Sequence, residues 1–143
     1  MGSSIGEAIT LLASAAQTTT STGEAAVNVQ DVLPRKPLGF LFCLDVTAAV
    51  TEAGDLLDVY VQTKIGDNWV DILRFPQVTG SDTTVRYYES VVVEDDESFN
   101  NGTALAERGA RSLFGTELRV RFAITDASTD NASFTFSVTA TPQ

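Results

Sequence analysis

The chain has 143 residues, the size of one ordinary domain, with 43% apolar and 20% charged side chains; this excludes a disordered segment and allows one core without disulfides or metals. Nineteen Asp and Glu against nine Lys and Arg give a formal charge of −10 with no basic cluster, so no nucleic-acid partner is expected. The absence of histidine removes the usual general base, the commonest zinc ligand and every imidazole triad, and no apolar run approaches the length a bilayer requires.

The opening MGSSIGEAITLLASAAQ has an apolar stretch and an ASAA site of the kind secretory signals carry, but the only charge ahead of that stretch is Glu7, where a signal needs a basic region. Residues 8–17 are therefore expected as a first strand of an uncut chain. TTTSTGEAAVNVQ then turns into a second strand around 25–30, and residues 1–25 form a possible N-terminal arm or exchanged strand. Pro34 and Pro37 cannot continue a ladder, so the third strand starts near Leu38 and puts Phe40, Phe42, Leu44 and Val46 on one parity. The lone Cys43 within it reads as a small, inert core residue.

After a turn at TEAGD, residues 57–75, LDVYVQTKIGDNWVDILRF, read as a hairpin. Leu57, Val59, Val61 and Ile65 alternate with Asp58, Tyr60, Gln62 and Lys64, one buried and one wet face, and Gly66-Asp67-Asn68 supplies the turn. The second arm is irregular: Trp69, Leu73 and Phe75 share a parity with Asp71, which calls for a bulge or for burial on both faces. Trp69 is expected in the core.

PQVTGSD leads to a strand in TTVRYYESVVVE. The long loop 94–114 follows, acidic at first and capable of one or two helical turns in TALAERGARSLF. TELRVRFAIT turns Leu118, Val120, Phe122 and Ile124 inward and Arg119 and Arg121 outward, and ASFTFSVTA repeats the device with Phe134, Phe136 and Val138. The sum is an all-β chain, a single domain over 1–143: an antiparallel β-sandwich of jelly-roll-like kind with about eight strands.

Candidate chemistry is sparse. Glu94, Asp95, Asp96 and Glu97 offer the oxygens a hard cation collects, but lack the D-x-D-x-D-G order of a dedicated calcium loop, so they are weak metal candidates and a solvated acidic loop is expected. Asp55, Asp58, Asp67 and Asp71 do not form the flanking pair of a glycosidase, because Asp55 and Asp67 fall in turns at opposite ends of one strand and Asp58 lies on the outward parity. No catalytic residue and no cofactor site emerge, and the chain does not read as an enzyme. Tyr60, Trp69, Tyr87 and Tyr88 would suit a glycan platform, but an aromatic on the wet parity, as Tyr60 is, more often marks a protein contact.

The succession LASAAQTTTSTGEAAVNV, LFCLDVTAAVTEAGDLLDVYVQTKIGDNWVDILRFPQVTG and LRVRFAITDASTDNASFTFSVTATP resembles a group of small virion proteins of tailed bacteriophages, over most of the chain. The long 94–114 loop is its departure from that group, which usually keeps a short turn there. The resemblance implies a β-sandwich and the role of a head decoration or other accessory structural protein. The expected function is that of a capsid decoration protein on the outer surface of the virion head, binding the major capsid protein as a homo-oligomer, with a trimer favoured. A tail or head-tail-junction protein and a glycan-binding virion module are the alternatives. Ile9, Leu11, Leu12, Arg35, Lys36 and Tyr60 are the contact candidates, with the N-terminal segment toward the shell.

Overall fold

The structure is a computed structural model and describes residues 7–33, 37–52, 54–80, 84–94, 104–127 and 132–143. Nine strands are present among them: β1 (Ile9–Gln17), β2 (Val27–Asn28), β3 (Gly39–Val50), β4 (Leu56–Ile65), β5 (Asn68–Arg74), β6 (Val78–Thr79), β7 (Val85–Val92), β8 (Glu117–Thr125) and β9 (Ser133–Pro142). They form two antiparallel sheets, one ordered β1-β9-β3-β7, the other β2-β8-β4-β5 with β6 also on β4. The chain is an all-β sandwich. No helix among the described residues is long and apolar enough to cross a membrane.

Period-two alternation accounts for this architecture, since each long strand sends every second side chain between the sheets. Phe40, Phe42, Leu44 and Val46 of β3, Leu118, Val120 and Phe122 of β8, and Phe134, Phe136 and Val138 of β9 are almost wholly buried in one cluster. Phe122 meets Phe136 across the sheets edge to face, with centroids 5.2 Å apart. Each such ring contributes about 1.5–3 kcal/mol by leaving water.

Several expectations need correction. The second strand is only Val27–Asn28, because the Asn28 side chain accepts from Gln30 N at 2.9 Å and caps a 3₁₀ turn, Val29–Asp31. The ninth strand is β6, a two-residue pairing with Leu56 and Leu57 in what reads as a connection. Ile65, grouped with the buried residues, is exposed at the hairpin tip, where Gly66 adopts φ +61°. Cys43 is half-buried on the outer face of its sheet, the face opposite the one Phe42 and Leu44 take to the core. Burial, and then the charge of Asp45, push its thiol pKa up.

The irregular arm of the hairpin does contain a bulge. Val61 pairs with Leu73, but Gln62 pairs with Asp71, so Ile72 is the extra residue and both Ile72 and Leu73 turn into the core. No helix forms in the described part of the long loop, residues 104–114. Gly109 N donates to Ala106 O, Arg108 lies at φ +64°, and the chain then docks on the open edge of β5: Arg74 N donates to Gly109 O and Arg111 N to Ile72 O, at 2.9 and 2.8 Å. A helix would have kept those backbone groups for itself.

Candidate functional site

The outward parity of β4, β5 and β8 carries a layer of arginines, aromatics and carboxylates over one sheet. Asp71 is its centre. Arg121 donates to it through Nε and Nη2 at 2.8 and 2.7 Å, and Gln62 Nε2 donates to the same carboxylate at 2.9 Å. Arg119 Nε donates to Gln62 Oε1 at 2.7 Å, and Arg111 Nη1 to the Asp71 carbonyl at 2.7 Å. The Asp71 and Arg121 side chains are only 18% and 28% exposed, so water competes weakly for this pair. Burial pushes the Asp71 carboxyl up, but the hydrogen bonds and charge of Arg121, with Gln62 and Arg111, outweigh it and hold the carboxyl below its ordinary pKa.

A second pair extends the layer. Arg74 Nη2 donates to Asp58 Oδ1 at 3.0 Å, and Gln77 Nε2 donates to both Asp58 oxygens at 3.2 and 3.0 Å. The loop closes over this end, for Arg74 Nη1 donates to Leu105 O and Gln77 N to Glu107 Oε1. Asp58 faces outward, as the alternation predicts, and Asp71 does so because of the bulge, but both are engaged side chains rather than solvated ones.

Both aromatics here are stacked. The Arg121 guanidinium lies 3.6 Å from the Tyr60 centroid and that of Arg74 5.6 Å from it, while Arg119 lies 4.2 Å from the Trp69 centroid. Trp69 is thus half-buried on the outer face and is not a core residue, because the bulge sets Asp71 and Trp69 outward and Ile72 and Leu73 inward. Among the described residues Arg119 meets no carboxylate; burial, then repulsion from Arg121, lower its pKa.

The predicted contact residues are dispersed. Ile9 and Leu11 lie in the chain's own core at 7% and 5% exposure, and Leu12 packs partly against it. Tyr60 belongs to the arginine layer. Arg35, Lys36, Asp95, Asp96 and Glu97 lie outside the described residues; Glu94 is exposed, and its N–H donates to Ser112 O at 2.9 Å.

The acidic group that the fold brings together was not foreseen. Oxygens of Glu52, Asp55 and Asp126 lie within 4.8 Å of one another. Asp55 is 1% exposed and acts as a loop staple, accepting Glu52 N and Ala127 N at 2.9 Å each, while Asp126 accepts Ala132 N at 3.1 Å. The N–H of Ala127, then that of Glu52, lower the Asp55 pKa. The turn position of Asp55 was visible in the sequence; its partners, 72 residues away in one case, were not.

The chemistry of these groups favours holding over reacting. In the arginine layer each carboxylate already accepts from a guanidinium, and an arginine does not give up its proton near neutral pH. No protein-family model matches the chain, and no curated protein matches it.

Proposed function

We propose that this protein is a non-enzymatic structural protein of a tailed-phage virion, a capsid decoration protein that binds the outside of the head through the major capsid protein and stabilises the shell. We read the sandwich as jelly-roll-like and the protein as a homo-oligomer, a trimer by preference. The observation that carries the reading is the placement of the phage-like segments: LFCLDV, LDVYVQT and SFTFSV lie in β3, β4 and β9, and WVDILRF in β5 and the residue after it, all in one double sheet. A second support is that the carboxylates and most guanidinium groups of its arginine layer are engaged with one another or with backbone carbonyls, Arg74 Nε being a buried exception, which suits a scaffold. Adhesion repeated around every symmetry axis of a shell gains strength by multivalency, so modest contacts suffice.

Two measurements test this. Electron microscopy of virions is expected to place the chain on the head; its absence from purified particles refutes the reading, and a neck or tail position replaces it with the junction or tail alternative. Purified protein added to shells lacking it is expected to raise the temperature or force at which they break. Saturating decoration without any change refutes the stabilising role. The glycan-module alternative gains no support from a shared aromatic platform, since Tyr60 and Trp69 each carry a guanidinium on the ring, while Tyr87 and Tyr88 lie on β7 of the other sheet with Tyr87 packed against the core.

A further inference from the structure

The two sheets treat their edges differently. In the β2-β8-β4-β5 sheet one edge is the two-residue β2 and the other, β5, is strapped by Gly109–Arg111. In the β1-β9-β3-β7 sheet both edges are long, nine residues of β1 and eight of β7, and no described segment pairs with the far side of either. Natural edges of this length are usually blunted with charge, proline or bulges. Here β1, ITLLASAAQ, carries no charged residue and no proline, and its Ala13–Ala16 are exposed; its register against β9 shifts between Thr10 and Leu12 and between Leu12 and Ala15, leaving Ile9–Thr10 and Ala15–Gln17 regularly paired. β7 keeps unbroken register with β3 over eight pairs, and of its two charges, Arg86 is already paired with Asp45 at 3.3 Å. Four of the five large apolar residues exposed among the described ones, Leu38, Tyr88, Val92 and Val93, sit on β7 or at its end, with Leu38 O accepting from Val93 N.

Strand direction says what fits this edge. β1 and β3 run one way and β9 and β7 the other, so in two copies placed side by side in the same orientation, β7 of one meets β1 of the next antiparallel. Thr10, Thr139, Cys43 and Tyr88 form one row across the sheet through successive pairings, so Tyr88 of one copy and Thr10 of the next stand at the same height. An uncharged β1 opposes no like charge to Arg86 or Glu89, whereas chains of net charge −10 repel through most of their surfaces. We infer that the protein assembles head to tail, β7 of one copy adding to β1 of the next, so that this sheet continues from subunit to subunit. This heterologous contact makes a closed ring where the rotation closes. It rests only on the homo-oligomer in the proposed function; capsid binding can fail without touching it.

Disulfide capture tests the pairing with the full chain. In a Cys43→Ser background, needed because Cys43 lies opposite Tyr88 in the same molecule, Thr10→Cys and Ala16→Cys are made on β1 and Tyr88→Cys and Ser90→Cys on β7. Cystine formation requires Cα atoms within about 7 Å. Each variant alone is expected to remain uncrosslinked under mild oxidation, Thr10→Cys mixed with Tyr88→Cys to give a covalent dimer, Ala16→Cys, which lies out of register with both β7 positions, to give none, and a Thr10/Tyr88 double cysteine to give a covalent closed ring. Crosslinking of a β7 variant with itself, meaning a two-fold edge contact, overturns the inference. So does light scattering of the unmodified chain as a strict monomer at high concentration, or the absence of any β1–β7 crosslink in a sample that is oligomeric. Virion microscopy reads the capsid role separately.

Discussion

Replacing Asp71 by alanine removes at once the acceptor of two Arg121 N–H groups and one from Gln62, and leaves Arg121 facing Arg119 without its counter-charge. Hydrogen bonds to charged groups contribute about 1.5–3 kcal/mol each, and breaking a fully buried pair costs about 3–5 kcal/mol. Because Asp71 and Arg121 keep 18% and 28% exposure, water takes up part of the loss, and the expected cost is about 2–3 kcal/mol. At about 2.1 cal/mol/K of unfolding entropy per residue, this chain loses about 7–10 °C of Tm. Urea unfolding is expected to give a lower midpoint with an unchanged slope, and Asp71→Ala/Arg121→Met to recover at least half the loss by removing the stranded cation. The gap has a definite pH dependence. The folded-state pKa of Asp71 is depressed, so its contribution is fully present above the unfolded value of about 3.9 and is lost as pH falls through the folded value; wild type and variant converge in acid. A loss under about 0.5 kcal/mol with additive single effects refutes the reasoning, since that is how an ordinary surface ion pair behaves.

Gly23→Ala sets a methyl group on the Arg119 guanidinium and displaces it from Trp69; as Trp69 is the chain's single tryptophan, its fluorescence is expected to shift while far-UV circular dichroism stays β-type, and an unchanged emission spectrum counts against the stack. Phe136→Ala removes a fully buried ring from the contact between the sheets and is expected to cost about 3–5 kcal/mol in denaturant unfolding; a cost below 1 kcal/mol would contradict its place in the core. Asp55→Asn is expected to flatten the wild-type loss of stability below about pH 4, since the depressed Asp55 pKa contributes above the unfolded value and its contribution is lost as pH falls; an identical acid profile tells against the loop staple.

Most of the sandwich is legible in single strands, because inward parity is a local property. Phe40, Phe42, Leu44 and Val46, or Phe134, Phe136 and Val138, declare their face without reference to any partner. The segments that resist such reading are those whose conformation is decided elsewhere. TALAERGARSLF has helical composition, yet its backbone is claimed by the edge of β5, and that edge is available only once the hairpin has folded. Val27–Asn28 stops as a strand because one side chain, Asn28, offers the backbone a cap.

The arginine layer sits at the limit of what alternation can deliver. Parity correctly sends Asp58, Tyr60, Arg119 and Arg121 outward, and an outward charged residue is ordinarily a solvated one. What parity does not contain is which outward residues are neighbours across strands, since that depends on register, and the register of β5 changes at the bulge. Without the extra residue at Ile72, Gln62 would face Ile72 instead of Asp71, and Asp71 would slip away from both Gln62 and Arg121. Trp69 would then take the inward parity that its apolar ring suggests. The same inserted residue therefore turns two apolar side chains into the core, moves the tryptophan out under Arg119, and brings the carboxylate to Arg121. One backbone irregularity, visible in the sequence only as a broken alternation, converts a wet face into a bonded layer.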